Sequence, residues 1–272
     1  MAETLQFENE YGAFTLGSKG ASLLALKIKG HELLHDFKHN ARDWAAGAVL
    51  FPFPVRMATG TIMEHNGQEF HWPINDEKHH AALHGFTVNE NFDVQPDSDG
   101  FCCRYVYDGH HQFYPFPCVL EIHYALNAQG FLLKAIVRNT GTQVLPFHIG
   151  WHPYFKIQGN WGLSPEPTAR LSKNEFSHPG EEIPYTGHRW AEEVDGAFFY
   201  GDNPRIRNDA YTLEIKTLAP IVQIFRPVNA PFIAVEPVTG LGHLDFPWLE
   251  VPPGQYREVR SGITLVQGGA FK

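Results

Sequence analysis

Thr61-Ile-Met-Glu-His-Asn-Gly-Gln-Glu-Phe-His-Trp72 is the stretch that decides the fold class of this 272-residue chain. It places Asn66-Gly67 between two short runs that contain large apolar residues. Asn-Gly suits a type I′ turn, because both central residues of that turn need a positive φ. The stretch therefore predicts a β-hairpin, with two antiparallel strands joined by a two-residue turn.

Strand-like runs separated by turn residues recur on both sides of this hairpin. They cover residues 23–28, 31–37, 120–126, 131–139, 211–217, 221–225, 232–236 and 263–267. Close spacing of short strands is typical of a sandwich or a barrel. Residues 36–46 fit one short helix, but 20 prolines and 25 glycines are hard to fit to long helices. We predict an all-β fold with few short helices, in one domain of residues 1–272, with the loop-rich stretch 158–204 as an elaborated rim.

Composition and charge narrow the functional classes. Hydrophobic residues make up 43% of the chain and charged residues 19%, which favours a substantial core over disorder. The formal net charge is −9 and basic residues form no block, so we expect no nucleic-acid partner. Apolar runs such as residues 45–53 are far shorter than the ~20 residues of a membrane span. The first residues lack the pattern of a secretory signal. We therefore expect a cytoplasmic protein that binds a small molecule.

The cysteine and histidine content raises the question of a metal. Cys102 and Cys103 are adjacent and would point to opposite faces of a strand, so we expect these two and Cys118 to be free thiols in a reducing compartment. Among the sixteen histidines, His148 and His152 are four residues apart, as are His35 and His39, and His80 and His84. On a strand that spacing separates two rings by about 13 Å, too far for shared ligation. We predict no metal site.

Four segments carry chemistry-bearing residues at unusual places. They are Gly47-Ala-Val-Leu-Phe-Pro-Phe-Pro-Val-Arg56, Ala82-Leu-His-Gly-Phe86, Pro146-Phe-His-Ile-Gly-Trp-His-Pro-Tyr-Phe155 and Phe232-Ile-Ala-Val-Glu-Pro-Val-Thr-Gly240. A carboxylate at the end of an apolar strand, as at Glu236, is costly to bury unless it is paired or functional. Each segment alone also has an ordinary structural explanation: a capped strand end, a turn histidine or aromatic packing.

Together, and in this order, the segments resemble the galactose mutarotase and aldose 1-epimerase superfamily, from about Gly20 to the C-terminus. The resemblance implies a large antiparallel β-supersandwich with a carbohydrate cleft on a concave sheet. Mutarotases specific for free galactose usually carry Asn-His-Ser-Tyr where this chain has Trp151-His-Pro-Tyr154. The chain therefore resembles the shorter, less characterised branch of the superfamily, and the resemblance does not identify the sugar.

The resemblance also implies the roles of five residues. His152 corresponds to the general acid and Glu236 to the general base, while His84 is a second histidine beside the sugar ring oxygen. Arg56 and Asp195 correspond to residues that bind sugar hydroxyls. Interconverting anomers by ring opening is redox-neutral, so we expect no cofactor; a base and an acid that titrate on either side of neutral suffice. Trp72, Trp151 and Tyr154 are candidates for stacking on the sugar or for filling the core.

The sequence leaves alternatives open. One is a hexose-6-phosphate 1-epimerase, but the cations nearest the site segments, Arg226 and Lys78, form no cluster that would bind a dianion. Another is a non-catalytic carbohydrate-binding protein on the same fold. The presence of both His152 and Glu236 favours an enzyme, because a binding protein needs no acid and base across one ring. A cupin-like metal enzyme is a weaker third alternative. We expect a monomer or a homodimer.

Overall fold

Antiparallel strands make up the computed structural model, which describes residues 3–37, 45–217, 219–242 and 246–266. The strands in chain order are β1 Thr4–Asn9, β2 Gly12–Gly17, β3 Ser22–Ile28, β4 His31–Glu32, β5 Val49–Leu50, β6 Ile62–His65, β7 Gln68–His71, β8 Asp93–Asp97, β9 Gly100–Tyr107, β10 Cys118–Asn127, β11 Gly130–Asn139, β12 Leu145–Phe147, β13 Gly150–Trp151, β14 Tyr154–Lys156, β15 Trp161–Ser164, β16 Ala169–Lys173, β17 Pro179–Pro184, β18 Val194–Phe199, β19 Arg205–Asn208, β20 Thr212–Lys216, β21 Ile221–Arg226, β22 Phe232–Pro237, β23 Leu249–Val251 and β24 Tyr256–Val266. Two 3-10 turns, Glu77–His79 and Thr87–Asn89, are the helical elements in the described ranges.

Two large sheets form the sandwich. The eight-stranded sheet has the order β15-β19-β20-β24-β11-β10-β9-β8, and the six-stranded sheet has the order β14-β22-β21-β18-β16-β17. A four-stranded sheet, β1-β2-β3-β4, and three two-stranded ribbons complete the fold. Within the described ranges, every ladder between neighbouring strands is antiparallel. The predicted fold class, an all-β antiparallel supersandwich with few short helices, is confirmed.

The main core lies between the two large sheets. Alternate residues of β10, among them Ile122 and Tyr124, are buried against it. The six-stranded sheet contributes Ile224 and Val235 to the same cluster. Because side chains alternate along a strand, the neighbouring residues of β21 and β22 must point to the opposite face of that sheet. Full burial of each such aliphatic side chain stabilises the fold by about 1.5–3 kcal/mol. The burial therefore fixes which face of the six-stranded sheet is left for a site.

The predicted hairpin is present as β6 and β7. Asn66 has φ 52° and Gly67 has φ 72°, the left-handed conformations that the Asn-Gly turn requires. Trp72, directly after the hairpin, packs edge-on against Phe53 at 4.8 Å between ring centroids. The hairpin is therefore tied to the core at its base.

Residues 158–204 differ from the predicted loop-rich rim. They contain β15, β16, β17 and β18, and the last three belong to the six-stranded sheet. Pro179 and Pro184 stand at the two ends of β17, which is an edge strand of that sheet. Proline is tolerated there because an edge strand leaves part of its N–H groups unpaired. Proline content was thus a poor guide to loop structure here. Of the run predicted at 31–37, only β4 is a strand, and Leu34 makes an isolated bridge to Phe155. Most of the helix predicted at 36–46 lies outside the described residues.

The three cysteines are free thiols, as predicted, with Cys103 and Cys118 buried and Cys102 half-buried. Burial raises the pKa of Cys118 to about 12. In the described part of the chain, no helix is long and apolar enough to cross a membrane. Within the same ranges, no group of three or more His, Cys, Asp or Glu side chains is arranged to hold a metal ion.

Candidate active site

The face of the six-stranded sheet that points away from the main core carries a cavity of about 130 Å³. Its lining includes all five residues named from the sequence: Arg56, His84, His152, Asp195 and Glu236. Tyr154 and Gln223 line it as well. The structure therefore brings together side chains that are spread over some 180 positions of the chain.

Strand alternation explains why Glu236 reaches the cavity. In β22, Ile233 and Val235 point into the main core, so Ala234 and Glu236 point to the other face. Glu236 is paired in register with Gln223 of β21, whose side chain also lines the cavity. Glu236 is 1% exposed, as deep as the apolar core residues around it.

Two loops supply the residues that face this sheet. Isolated bridges join Arg56 to Leu83 and Phe51 to Gly85, so that the loops run side by side. His84 and Gly85 both have left-handed backbones, with φ 62° and 64°. A Cβ at position 85 would lie 2.2 Å from the carbonyl oxygen of Phe51, so this close approach requires glycine. The His-Gly step thereby aims the His84 ring into the cavity.

His152 lies between three partners. Its Nε2 is 3.4 Å from Glu236 Oε1. Its ring stacks on Tyr154, with centroids 4.7 Å apart and planes 16° apart, and it meets the edge of the His84 ring at 5.2 Å. Backbone hydrogen bonds to Gly47 and Ala48 hold the segment in place. A carboxylate and an imidazole are thus fixed within one cavity, at a separation where a proton donor and a proton acceptor can act on neighbouring atoms of one ligand.

Hydrogen bonding and burial determine the state of His84. The Val55 N–H donates to His84 Nδ1 at 3.0 Å, so the neutral ring carries its proton on Nε2. Burial lowers the pKa of His84 well below its ordinary value, and the nearby His152 and Arg56 lower it further. His84 is therefore a neutral hydrogen-bond donor near pH 7. Val55 itself has φ 59°, a strained conformation for a β-branched residue and one that often marks functional sites.

Arg56 is held by two carboxylates. Its Nε donates to Asp76 Oδ2 at 2.6 Å, and its Nη1 donates to Asp195 Oδ2 at 3.3 Å. Asp76 also lies 2.8 Å from His79 Nδ1. Burial alone would raise the pKa of Asp76, but its hydrogen bonds to Arg56 and His79 outweigh that effect and lower it. The guanidinium is therefore fixed in orientation before any ligand enters.

Asp195 is the centre of a second set of charged contacts. Its Oδ2 is 2.8 Å from Lys173 Nζ, and its Oδ1 accepts a hydrogen bond from Gln223 Nε2 at 2.7 Å. Burial raises the pKa of Asp195, yet the positive charges of Lys173 and Arg56 more than offset this and lower it. Burial also lowers the pKa of Lys173, partly against the effect of Asp195. The predicted hydroxyl-binding aspartate is thus embedded in a network of three donors.

Sequence reasoning missed Asp76, Lys173 and Gln223. Gln223 had a signal, because it is a polar residue in the middle of the apolar strand Ile221–Arg226. Asp76 and Lys173 lie in polar surroundings and had none. Of the aromatic candidates, Tyr154 lines the cavity, whereas Trp72 and Trp151 belong to the main core. These two tryptophans therefore fill the core.

Comparisons with known proteins bear on the family and on the fold of the chain. A family model described as aldose 1-epimerase matches residues 3–232, a range that ends before Glu236. The uncharacterized protein YihR of Escherichia coli K12 is 30% identical over 142 residues, which are 52% of this chain and 46% of that protein, so the match spans about half of the relative's length.

Solved structures extend the likeness to the whole fold. A galactose mutarotase-like protein from Clostridium acetobutylicum has a TM-score of 0.85 at 16% identity, with 98% of each chain covered. An aldose epimerase homologue from C. elegans also has a TM-score of 0.85, at 14% identity, with 99% of this chain and 100% of that chain covered. At such low identities the likeness establishes a common fold.

Proposed function

The chain belongs to the aldose 1-epimerase family, and on that premise we propose that it interconverts the α and β anomers of a neutral aldohexose by acid–base opening of the ring. The observation that carries the proposal is the buried pair of His152 and Glu236, 3.4 Å apart in one cavity. Ring opening requires a base at the C1 hydroxyl and an acid at the ring oxygen, which are neighbouring positions on the sugar. The pair supplies one of each.

The proton transfers balance within this pair. Glu236 takes the proton of the C1 hydroxyl, and the electron pair left on that oxygen forms the C1 carbonyl. The bond from C1 to the ring oxygen breaks, and the ring oxygen takes a proton from the His152 imidazolium. Rotation about the C1–C2 bond followed by closure in reverse gives the other anomer and restores both groups. General acid and base catalysis of this kind typically accelerates a reaction by about 10²–10⁴.

His84 and Arg56 complete the arrangement. His84, neutral with its proton on Nε2, is suited to donate a hydrogen bond to the ring oxygen or to a neighbouring hydroxyl. Arg56 is suited to donate to hydroxyls, since Asp76 and Asp195 fix the orientation of its guanidinium. Donors held in position in this way stabilise the charge that develops on oxygen during ring opening.

The charges of the site favour a neutral sugar over a phosphorylated one. Arg56 is paired with Asp76, and Lys173 is paired with Asp195. Arg226, one of the cations considered for a phosphate, is buried and donates to the backbone oxygens of Ala191 and Ala230. A dianion entering this site would have to compete with carboxylates that are already in place.

Polarimetry of freshly dissolved α-glucose and α-galactose tests the proposal. We expect the wild type to accelerate mutarotation above the spontaneous rate, and expect His152→Asn and Glu236→Gln to lower kcat by about 10²–10⁴. The chain offers a matched control in His71 and Glu69, which lie 3.5 Å apart with side chains 68% and 60% exposed. His71→Asn and Glu69→Gln should leave kcat unchanged.

Three results would contradict parts of this proposal. Acceleration equal to the spontaneous rate, together with measurable sugar binding in a titration, would indicate a carbohydrate-binding protein without catalysis. A kcat/KM more than tenfold higher for glucose 6-phosphate than for glucose would indicate the phosphorylated substrate. Full activity in both site variants would exclude the pair as the acid and base.

A further inference from the structure

Five polar side chains form a row across the outer face of the six-stranded sheet. In the order of the strands they are Tyr154, Glu236, Gln223, Asp195 and Lys173, from β14, β22, β21, β18 and β16. Adjacent strands are about 4.8 Å apart, so the backbone of Asp195 lies on the order of 10 Å from that of Glu236, and Lys173 lies one strand further. The row is therefore long enough to contact both ends of one hexose.

The position of the reacting atoms fixes how a sugar lies along this row. C1 and the ring oxygen must be next to His152 and Glu236, which are 3.4 Å apart. The cavity lined by this pair also reaches Gln223 and Asp195, so the hydroxyls far from C1 extend towards Asp195 and its partner Lys173. Those hydroxyls distinguish one aldohexose from another; glucose and galactose, for example, differ in configuration at C4 alone.

We propose that Lys173 is a specificity-determining residue, whose ammonium group and the carboxylate of Asp195 together bind neighbouring hydroxyls at the end of the sugar remote from C1. This inference rests on the function proposed above. An ammonium group has three N–H donors, and the contact of 2.8 Å with Asp195 engages one of them. A hydroxyl both donates and accepts, so it can bridge an ammonium and a carboxylate that are in contact.

The local structure aims Lys173 at the site. Leu171, two residues earlier in β16, packs in the same cluster as Ala197 and Ile221, on the face of the sheet that carries the cavity. Since residues two apart share a face, Lys173 points the same way. The pairing register of β16 with β17 shifts between Leu171 and Lys173, but the extra residue lies in β17, so the alternation along β16 is kept. The side chain of Lys173 is 25% exposed, so it is not enclosed within the core.

A purely structural ion pair with Asp195 is the competing explanation, and sugar selectivity separates the two. The experiment measures kcat/KM for glucose, galactose and their 3-deoxy and 4-deoxy analogues, in the wild type and in Lys173→Met. In the wild type, kcat/KM for at least one analogue should be about ten- to a hundredfold lower than for its parent sugar, the range expected for one lost hydrogen bond to a charged group. Lys173→Met should lower kcat/KM for the parent sugar by a similar factor, mainly by raising KM. In this variant, kcat/KM for that analogue should be little lower than kcat/KM for the parent sugar.

Two further variants and one control distinguish a lost sugar contact from misfolding or a general loss of charge. Lys173→Arg should restore part of the wild-type KM, and Lys173→Gln keeps a donor if the methionine variant fails to fold. Lys156→Met is the matched control, because Lys156 is at the other end of the same sheet, 3.7 Å from Glu32. It should leave every ratio between sugars unchanged.

Two results would overturn the inference, and they differ from a failure of the proposed function. The first is that the ratio of kcat/KM between parent sugar and deoxy analogue is the same in Lys173→Met as in the wild type for every analogue. Lys173 then contacts none of the missing hydroxyls. If the wild type shows no acceleration of mutarotation, the proposed function fails. The ratios between parent sugar and deoxy analogue are then measured as ratios of dissociation constants, which still test the contact of Lys173. A wild type that binds none of these sugars overturns both.

Discussion

Replacing the buried His148 by glutamine should make the protein less sensitive to acid. The ring of His148 is 1% exposed and lies beside Trp248. Its Nε2 is 3.3 Å from the carbonyl oxygen of Phe246, so the neutral ring carries its proton there, and its Nδ1 is 3.3 Å from Thr239 Oγ1. The hydroxyl of Thr239 accepts from the Ile149 N–H and can donate to Nδ1. This arrangement suits the neutral ring, because each nitrogen has a hydrogen-bond partner. A second proton, on Nδ1, would create a positive charge away from water.

The size of the effect follows from the pKa of His148. Burial lowers it from 6.5 to about 4 and outweighs the opposing effect of the hydrogen bond to the Phe246 carbonyl. A lowered pKa means that the unfolded chain binds the proton more tightly, so stability is present above pH 6.5 and is lost as the pH falls towards 4. The full loss below pH 4 is about 3.4 kcal/mol, at about 1.36 kcal/mol per pKa unit, and the loss between pH 7.5 and pH 5.0 is about 2 kcal/mol.

Urea denaturation at pH 7.5 and pH 5.0, followed by tryptophan fluorescence and circular dichroism, measures this difference. Between the two pH values, His148→Gln should lose about 2 kcal/mol less unfolding free energy than the wild type. Burial lowers the pKa of His84 in the same sense, so the wild type should lose more than 2 kcal/mol in total, and the comparison of variants isolates His148. His71→Gln, at an exposed site, is the matched control. Equal losses in His148→Gln and the wild type, within about 0.5 kcal/mol, would refute the reasoning.

Three other changes test the site. Asp76→Asn removes the charged partner of Arg56 Nε and should lower kcat/KM about ten- to a hundredfold in polarimetry, while Asp97→Asn, on the other large sheet, should not. Gly85→Ala should lower the unfolding free energy by about 2 kcal/mol or more, because its Cβ would overlap a backbone carbonyl. Gly67→Ala, with a similar φ but open space around it, should lower it by about 1 kcal/mol or less. Mutarotase activity should survive exhaustive dialysis against EDTA, and loss restored by one divalent ion would contradict the metal-free mechanism.

Local patterns were sufficient to predict much of the fold. The Asn66-Gly67 turn and the alternating strands are properties of neighbouring residues, so they are readable from the sequence. β17 was missed for a physical reason: Pro179 and Pro184 indicate a loop unless the strand is known to lie at a sheet edge. Edge position depends on the order of all the strands, which a single sequence does not reveal.

The candidate site divides in the same way. Glu236 and Arg56 stood out because each ends an apolar run, where a charge is unusual. Nothing in the segments around Asp76 and Lys173 marked these two residues as candidates. Their relevance arises from the loops and strands that bring them to Arg56 and Asp195, over separations of 20 and 22 residues.

The pairing of charges also constrains what the cleft can bind. Arg56 with Asp76 and Lys173 with Asp195 are two ion pairs whose charges cancel, and His84 is kept neutral by burial. A neutral ligand can bind between these groups and leave both pairs intact. A charged ligand would have to take one partner from a pair, and a buried charge left without its partner typically costs about 3–5 kcal/mol. In the proposed mechanism, neither ion pair needs to change its protonation state when the ring opens, so His152 and Glu236 are the two groups that exchange protons with the sugar.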